Sequence, residues 1–209
     1  MAATDAVRET TGSRAEASER RRRAILDAAL ESFSTTGYEQ TTLADIRRLA
    51  GASTGSIYHH FGSKEQIAAS LYLDGVRRSQ EAGVEALLRS RTARTGVAAQ
   101  VAAYIDWVVE NPAMARFLFG MRHAPFLGSD EATIATLNAD VQERAAEWIR
   151  QRVEEGELPD IEPSLRWALV FGPCRHWAGS WLRGSTSLTP AQAKKQIAAA
   201  VHAGLLALR

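Results

Sequence analysis

Apolar residues spaced three and four apart, interrupted only by helix caps, glycines and prolines, run from Glu19 to the end of this 209-residue chain. Nowhere between turn signals does the two-residue alternation of a strand occur. Helices without a sheet must bury their apolar stripes against one another, so the fold class is all-α. The first stripe is Ile25, Leu26, Ala29, Leu30 and Phe33, and Gly37 is its left-handed stop. Thr42 is placed to cap a second helix, with Asp45 in the capping-box position. That helix is expected to bury Leu43, Ile46 and Leu49 and to end at Gly51. A third, short helix is predicted from Ser53 to Phe61, where Gly62 breaks it; Ser63 then caps a fourth with Gln66, ending near Arg89.

Further helices are predicted over Thr95–Glu110, Pro112–Arg122, Asp130–Glu155, Pro163–Arg183 and Pro190–Leu208, about nine in all. Asn111-Pro112 reads as a cap followed by a first-turn proline, and Thr189-Pro190-Ala191-Gln192 combines cap, proline and capping box. Gly172-Pro173 falls inside a helical pattern, where proline should kink or break the helix. A packing bend and a bend that shapes a cavity wall are equal readings of it. Residues 1–18 hold almost no large apolar side chain and read as a flexible tail.

Lys and Arg number 25 against 24 Asp and Glu, a net charge of +1. A protein that coats nucleic acid non-specifically needs more, so any nucleic-acid site here must be local and built from placed groups. The one cysteine, Cys174, excludes an internal disulfide. With no signal-peptide pattern and no long uncharged apolar run, the expectation is a soluble, cytoplasmic protein without a membrane partner.

Enzymatic chemistry finds little support. Cys174 and His176 are two apart on a helix and face different ways, which suits an inert buried thiol better than a nucleophile and base. The pair His59-His60 diverges too much to share a metal ion. Glu154, Glu155 and Glu157 read as a charged helix end. No phosphate loop or triad is present, and no metal or cofactor is expected.

The third helix is different. It is too short to persist alone, so Ile57 and Phe61 must pin it to the neighbouring helices. Ser53, Thr54, Ser56, Tyr58, His59 and His60 are then left at the surface, an uncommon strip of short polar groups suited to a DNA major groove. Two helices joined through Gly51 in this way form a helix-turn-helix. The run Thr41-Thr42-Leu43-Ala44-Asp45-Ile46, followed by Ala50-Gly51-Ala52-Ser53-Thr54-Gly55-Ser56-Ile57-Tyr58-His59-His60-Phe61-Gly62-Ser63-Lys64-Glu65, resembles the DNA-binding domain of the TetR (tetracycline repressor) family. Ala24-Ile25-Leu26-Asp27-Ala28-Ala29 and Phe33…Gly37-Tyr38 resemble that family's first helix.

The resemblance implies a three-helix DNA-binding domain over 19–64 and a helical effector-binding and dimerisation domain over 65–209. Carried across by position, Thr42 would meet a phosphate, while Ser53, Thr54, Ser56 and His59 would read base edges. Gly55 would admit the backbone, and Tyr58, His60 and Lys64 would clamp phosphates. The run Arg20–Arg23 reads equally well as a solvated helix start or as an arm on flanking DNA.

All five tryptophans lie beyond residue 100. Most of the aromatics there must be core, but the resemblance implies that some line an effector cavity. Trp107, Phe117, Met121, Trp148, Phe171 and His176 are the candidates, with Arg122 and His123 as further polar anchors. It also implies that the last two helices pair with their copies in a homodimer, through small or apolar residues such as Ala168, Gly172, Gly179, Val201 and Leu205. The expected function is a sequence-specific repressor released from a palindromic double-stranded operator by a small, mostly apolar effector. The alternative is an effector-independent protein with an architectural or protein-docking role.

Overall fold

The computed structural model describes residues 2–122, 124, 127 and 139–208. Among the described residues there are nine helices and no strand: α1 Ala2–Thr35, α2 Leu43–Ala50, α3 Thr54–His60, α4 Lys64–Leu88, α5 Ala93–Glu110, α6 Pro112–Met121, α7 Ala139–Glu154, α8 Pro163–Leu182 and α9 Pro190–Leu206. The all-α expectation holds. The chain divides into two compact units, Met1–Tyr72 and Leu73–Arg209, with α4 contributing residues to each. His123 and the expected helix start at Asp130 lie outside the described residues.

In the first unit α1 packs on α2. Ile25, Leu26, Ala29, Phe33, Ile46, Ile57, Phe61, Ile67 and Leu71 form the core, each large side chain contributing about 1.5–3 kcal/mol by leaving water. The α1–α2 connection is held by a buried hydroxyl pair, Ser32 Oγ and Thr41 Oγ1 at 3.1 Å, while Thr41 Oγ1 donates to the Gly37 carbonyl at 2.7 Å. Two readings need correction. Helical backbone begins at Ala2 rather than near Glu19, over a stretch rich in the helix formers Ala, Glu and Arg. Leu49 is 39% exposed rather than buried, standing in the last turn of α2 at the edge of the face that Ile46 centres.

In the second unit α5 is the central helix, in contact with α6, α8 and α9. It buries Gly96, Val97, Val101, Ile105 and Val108. Its start is a Thr92–Thr95 capping box, two residues earlier than the expected Thr95, and the Glu157 carboxylate accepts the otherwise unpaired Ala93 N–H at 2.5 Å. Asn111 does not cap α6; its side-chain amide donates instead to the Trp107 carbonyl at 2.9 Å and closes the end of α5. The Thr189–Gln192 capping box opens α9 as expected. α8 continues through Pro173 without a break. Gly172 and Pro173 are both exposed, so the carbonyl that loses its donor can be met by water.

Candidate nucleic-acid interface

Both helices of the helix-turn-helix are fixed at their starts by short-range hydrogen bonds. Thr42 Oγ1 accepts the Asp45 N–H at 3.2 Å, and Asp45 Oδ2 accepts the Thr42 N–H at 3.0 Å and its hydroxyl at 2.6 Å. These bonds hold the Asp45 carboxyl below the usual carboxylate range. Gly51 closes α2 in the left-handed conformation, φ 58°, which a side-chain-bearing residue adopts at a cost. Ser53 then caps α3, its Oγ accepting the Ser56 N–H at 3.1 Å. From the opposite side Ile57 and Phe61 anchor the helix in the core.

Ser53, Thr54, Gly55, Tyr58 and His59 are exposed, Tyr58 to 59%. Ser56 and His60 are half-buried rather than at the surface. Among the described residues the Ser56 hydroxyl, sealed from solvent, has no hydrogen-bond partner, because its α3 position turns it toward the packed side. Burial, then the neighbouring His59, Arg22 and Arg21 charges, hold His60 below the ordinary histidine range, so near neutral pH it offers one N–H donor and no charge. Those charges place Arg21 and Arg22 beside the end of α3, and the Arg22 guanidinium lies 5.5 Å from the Phe61 ring centroid. The basic run and the short helix thus share one side of the unit, a juxtaposition that spacing along the chain does not display.

Lys64 departs furthest from its expected role. Its ammonium donates to the carbonyls of Tyr38 at 2.9 Å, Glu39 at 3.3 Å and Thr41 at 3.1 Å, and stands 4.5 Å from the Tyr38 ring centroid. An ammonium has three N–H donors, so the set is filled. Burial and the Glu65 and Glu39 charges push the Tyr38 phenol up to about 12, and it is hydrogen-bonded to Glu65. Lys64 and Glu65 together fasten the α1–α2 connection to the start of α4.

In the second unit Trp107, Phe117 and Trp148 are buried, Met121 and Phe171 are half-buried, and His176 is exposed. Trp148 is tied into the core, its Nε1 donating to the Ser90 carbonyl at 3.2 Å. Arg122 is exposed. Cys174 is buried, donates to the Val170 carbonyl at 3.3 Å and is pushed up to about 12 by burial. It is an inert thiol, turned away from His176. Of the residues expected at a dimer contact, Ala168 and Gly172 are exposed. Gly179, Val201 and Leu205 are buried within the protomer, where they pack α8 and α9 onto their neighbours. The outward face of α9 carries Gln196, Ala199, Ala200, Ala203 and Gly204 instead, and that of α8 carries Leu165, Ala168, Gly172 and His176. Among the described residues no helix is long and apolar enough to cross a membrane.

A capped short helix presenting polar side chains beside a basic stretch of α1 defines the class, a helix-turn-helix DNA-binding regulator. A family model described as "Bacterial regulatory proteins, tetR family" matches residues 25–71. The HTH-type transcriptional regulator RutR of Escherichia coli strain K12 is 33% identical over 175 residues, 81% of this chain and 79% of its own length. The HTH-type transcriptional repressor KstR2 of Rhodococcus jostii strain RHA1 is 29% identical over 191 residues, 88% of this chain and 91% of its own. In fold, a TetR family transcription regulator from Marinobacter aquaeolei VT8 is similar with a TM-score of 0.71, covering 91% of this chain and 97% of that one at 20% identity. The chain belongs to the TetR family of transcriptional regulators.

Proposed function

We propose that this regulator is a repressor that holds a palindromic operator as a homodimer and releases it when a small, mostly apolar effector binds the C-terminal unit. The observation that carries the DNA half is the exposed face of α3, where Ser53, Thr54, Tyr58 and His59 stand clear of a helix pinned by Ile57 and Phe61. In this reading Ser53, Thr54 and His59 meet base edges, Gly55 admits the backbone, and Tyr58, Thr42 and the one N–H of His60 meet phosphates. Lys64 holds the frame. One short helix covers too few bases to select a site alone, so two copies reading half-sites about one turn, roughly 34–36 Å, apart are required. A coupling of about 1–3 kcal/mol between effector and DNA is enough for release, and α4, which serves both units, is the element that would carry it.

Selection of bound sites from random-sequence DNA at physiological salt tests this directly. The expected product is a palindrome with half-sites one turn apart, and Thr54→Ala should relax preference at one position per half-site by about 1–3 kcal/mol. A bound pool without any shared motif would favour the architectural alternative.

The dimer is expected on the outward faces of α8 and α9. Ala203→Arg places a charge among Ala199, Ala200 and Gly204 without entering the protomer core. In sedimentation at micromolar concentration the variant should run as one 22.8 kDa chain, with operator affinity falling by two orders of magnitude or so. A dimer unaffected by this change would place the contact elsewhere.

A further inference from the structure

Arg175 on α8 is held by rings rather than by acids. Its guanidinium carbon lies 5.9 Å from the centroid of Phe119 on α6 and 5.5 Å from that of Trp167. Phe171 extends the cluster, 5.5 Å from Trp167 and 5.8 Å from Tyr104 on α5. Tyr104 feels the Arg175 charge, although burial dominates and pushes its phenol up to about 12. Three helices thus bring four rings, one of them a phenol, and one guanidinium to the same place.

The cation differs from several other arginines of the second unit in what it meets. Arg77, Arg78, Arg144, Arg150 and Arg152 each have a carboxylate partner. Arg175 makes no ion pair and no hydrogen bond among the described residues, and the Tyr104 hydroxyl makes no hydrogen bond there either. Stacking occupies the faces of a guanidinium and leaves its in-plane N–H fork free, in the geometry that matches a carboxylate with two parallel hydrogen bonds. The rings also restrict the side chain, so little rotamer freedom remains to be lost on binding.

We propose that Arg175 and Tyr104 anchor the carboxylate of a planar, otherwise apolar effector, with Phe119, Trp167 and Phe171 as the walls of its site. The inference rests on the effector-released reading above and narrows the ligand from apolar to an apolar acid. A neutral ligand of the same shape would leave the guanidinium unpaired when water is displaced, and so would be rejected.

Calorimetric titration of the full chain with benzoate, and with its neutral isostere benzamide, tests the site. Benzoate should bind about 10–100-fold more tightly. Arg175→Met should abolish that difference while thermal melting stays cooperative, and Tyr104→Phe should weaken benzoate alone. If Arg175→Met does not fold, Arg175→Lys carries the test, because it keeps the charge and the stem but loses the fork, and most of the discrimination should go with it. Equal binding of the two compounds, binding of neither, or discrimination surviving both Arg175 variants would overturn the proposal. Operator release measured on the same samples separates the two readings. Benzoate held through Arg175 without release leaves the site standing and removes the effector-released repressor; release by a neutral compound, with Arg175→Met indifferent, does the reverse.

Discussion

A methyl group at position 96 is expected to cost the C-terminal unit about 1–3 kcal/mol, although glycine to alanine in a helix interior is ordinarily a gain of about 0.5–1 kcal/mol. The reversal comes from Trp148. A Cβ on Gly96 would stand 2.5 Å from Trp148 Cη2, 2.8 Å from Cζ2 and 3.0 Å from Leu87 Cδ1. The indole has no room to withdraw, because its N–H is bonded to the Ser90 carbonyl at 3.2 Å and the Arg152 guanidinium lies 5.2 Å from its ring centroid. Trp148→Ala, which empties the same space, should cost more, about 3–5 kcal/mol. Urea melts of Gly96→Ala, Trp148→Phe and the double variant form a cycle. The smaller ring should absorb the methyl, so the two changes should couple by about 1 kcal/mol or more. Strict additivity would mean that the α5–α7 contact is looser than its distances imply.

This contact shows where the sequence was legible and where it was not. The caps at Thr42 and Thr189 could be read because each is settled within four residues, by a hydroxyl and a side-chain acceptor on the first turn. The core of the first unit could be read because α2 is strongly one-sided, with Ile46 inward and Arg47 and Arg48 out. By contrast α8 and α9 carry small or apolar residues all round, so spacing alone could not tell the protomer-facing Val201 and Leu205 from the outward Ala199 and Ala203. The Thr92 cap was missed because Thr95 also fits the start of a helix and serves instead as its capping-box partner. Contacts between distant residues left no local trace: Glu157 on the first amide of α5, Trp148 on Gly96, and Arg175 between Phe119 and Trp167 are all products of tertiary packing.

Lys64 is the residue at which a positional reading and the geometry make opposite predictions. A phosphate clamp contributes charge to the DNA contact, so its removal should lower the dependence of log affinity on log salt by about 0.9. A lock contributes shape. Lys64→Met keeps most of the apolar stem over Tyr38 and removes the three N–H donors from the Tyr38, Glu39 and Thr41 carbonyls. Hydrogen bonds from a charged group are worth more than neutral ones, but this connection is only partly buried and water can replace some of them, so the expected loss is about 1–3 kcal/mol of stability in the first unit. Operator affinity should fall at every salt concentration while the salt slope stays where it was, because the start of α4 loses its registration with α2 and the turn into α3 shifts with it. Thermal melting with a salt series of operator binding measures both quantities on one variant. An unchanged melt with a shallower slope would mean that the ammonium leaves its three carbonyls for a phosphate when DNA arrives, and the carbonyl set would then be the resting state of a clamp.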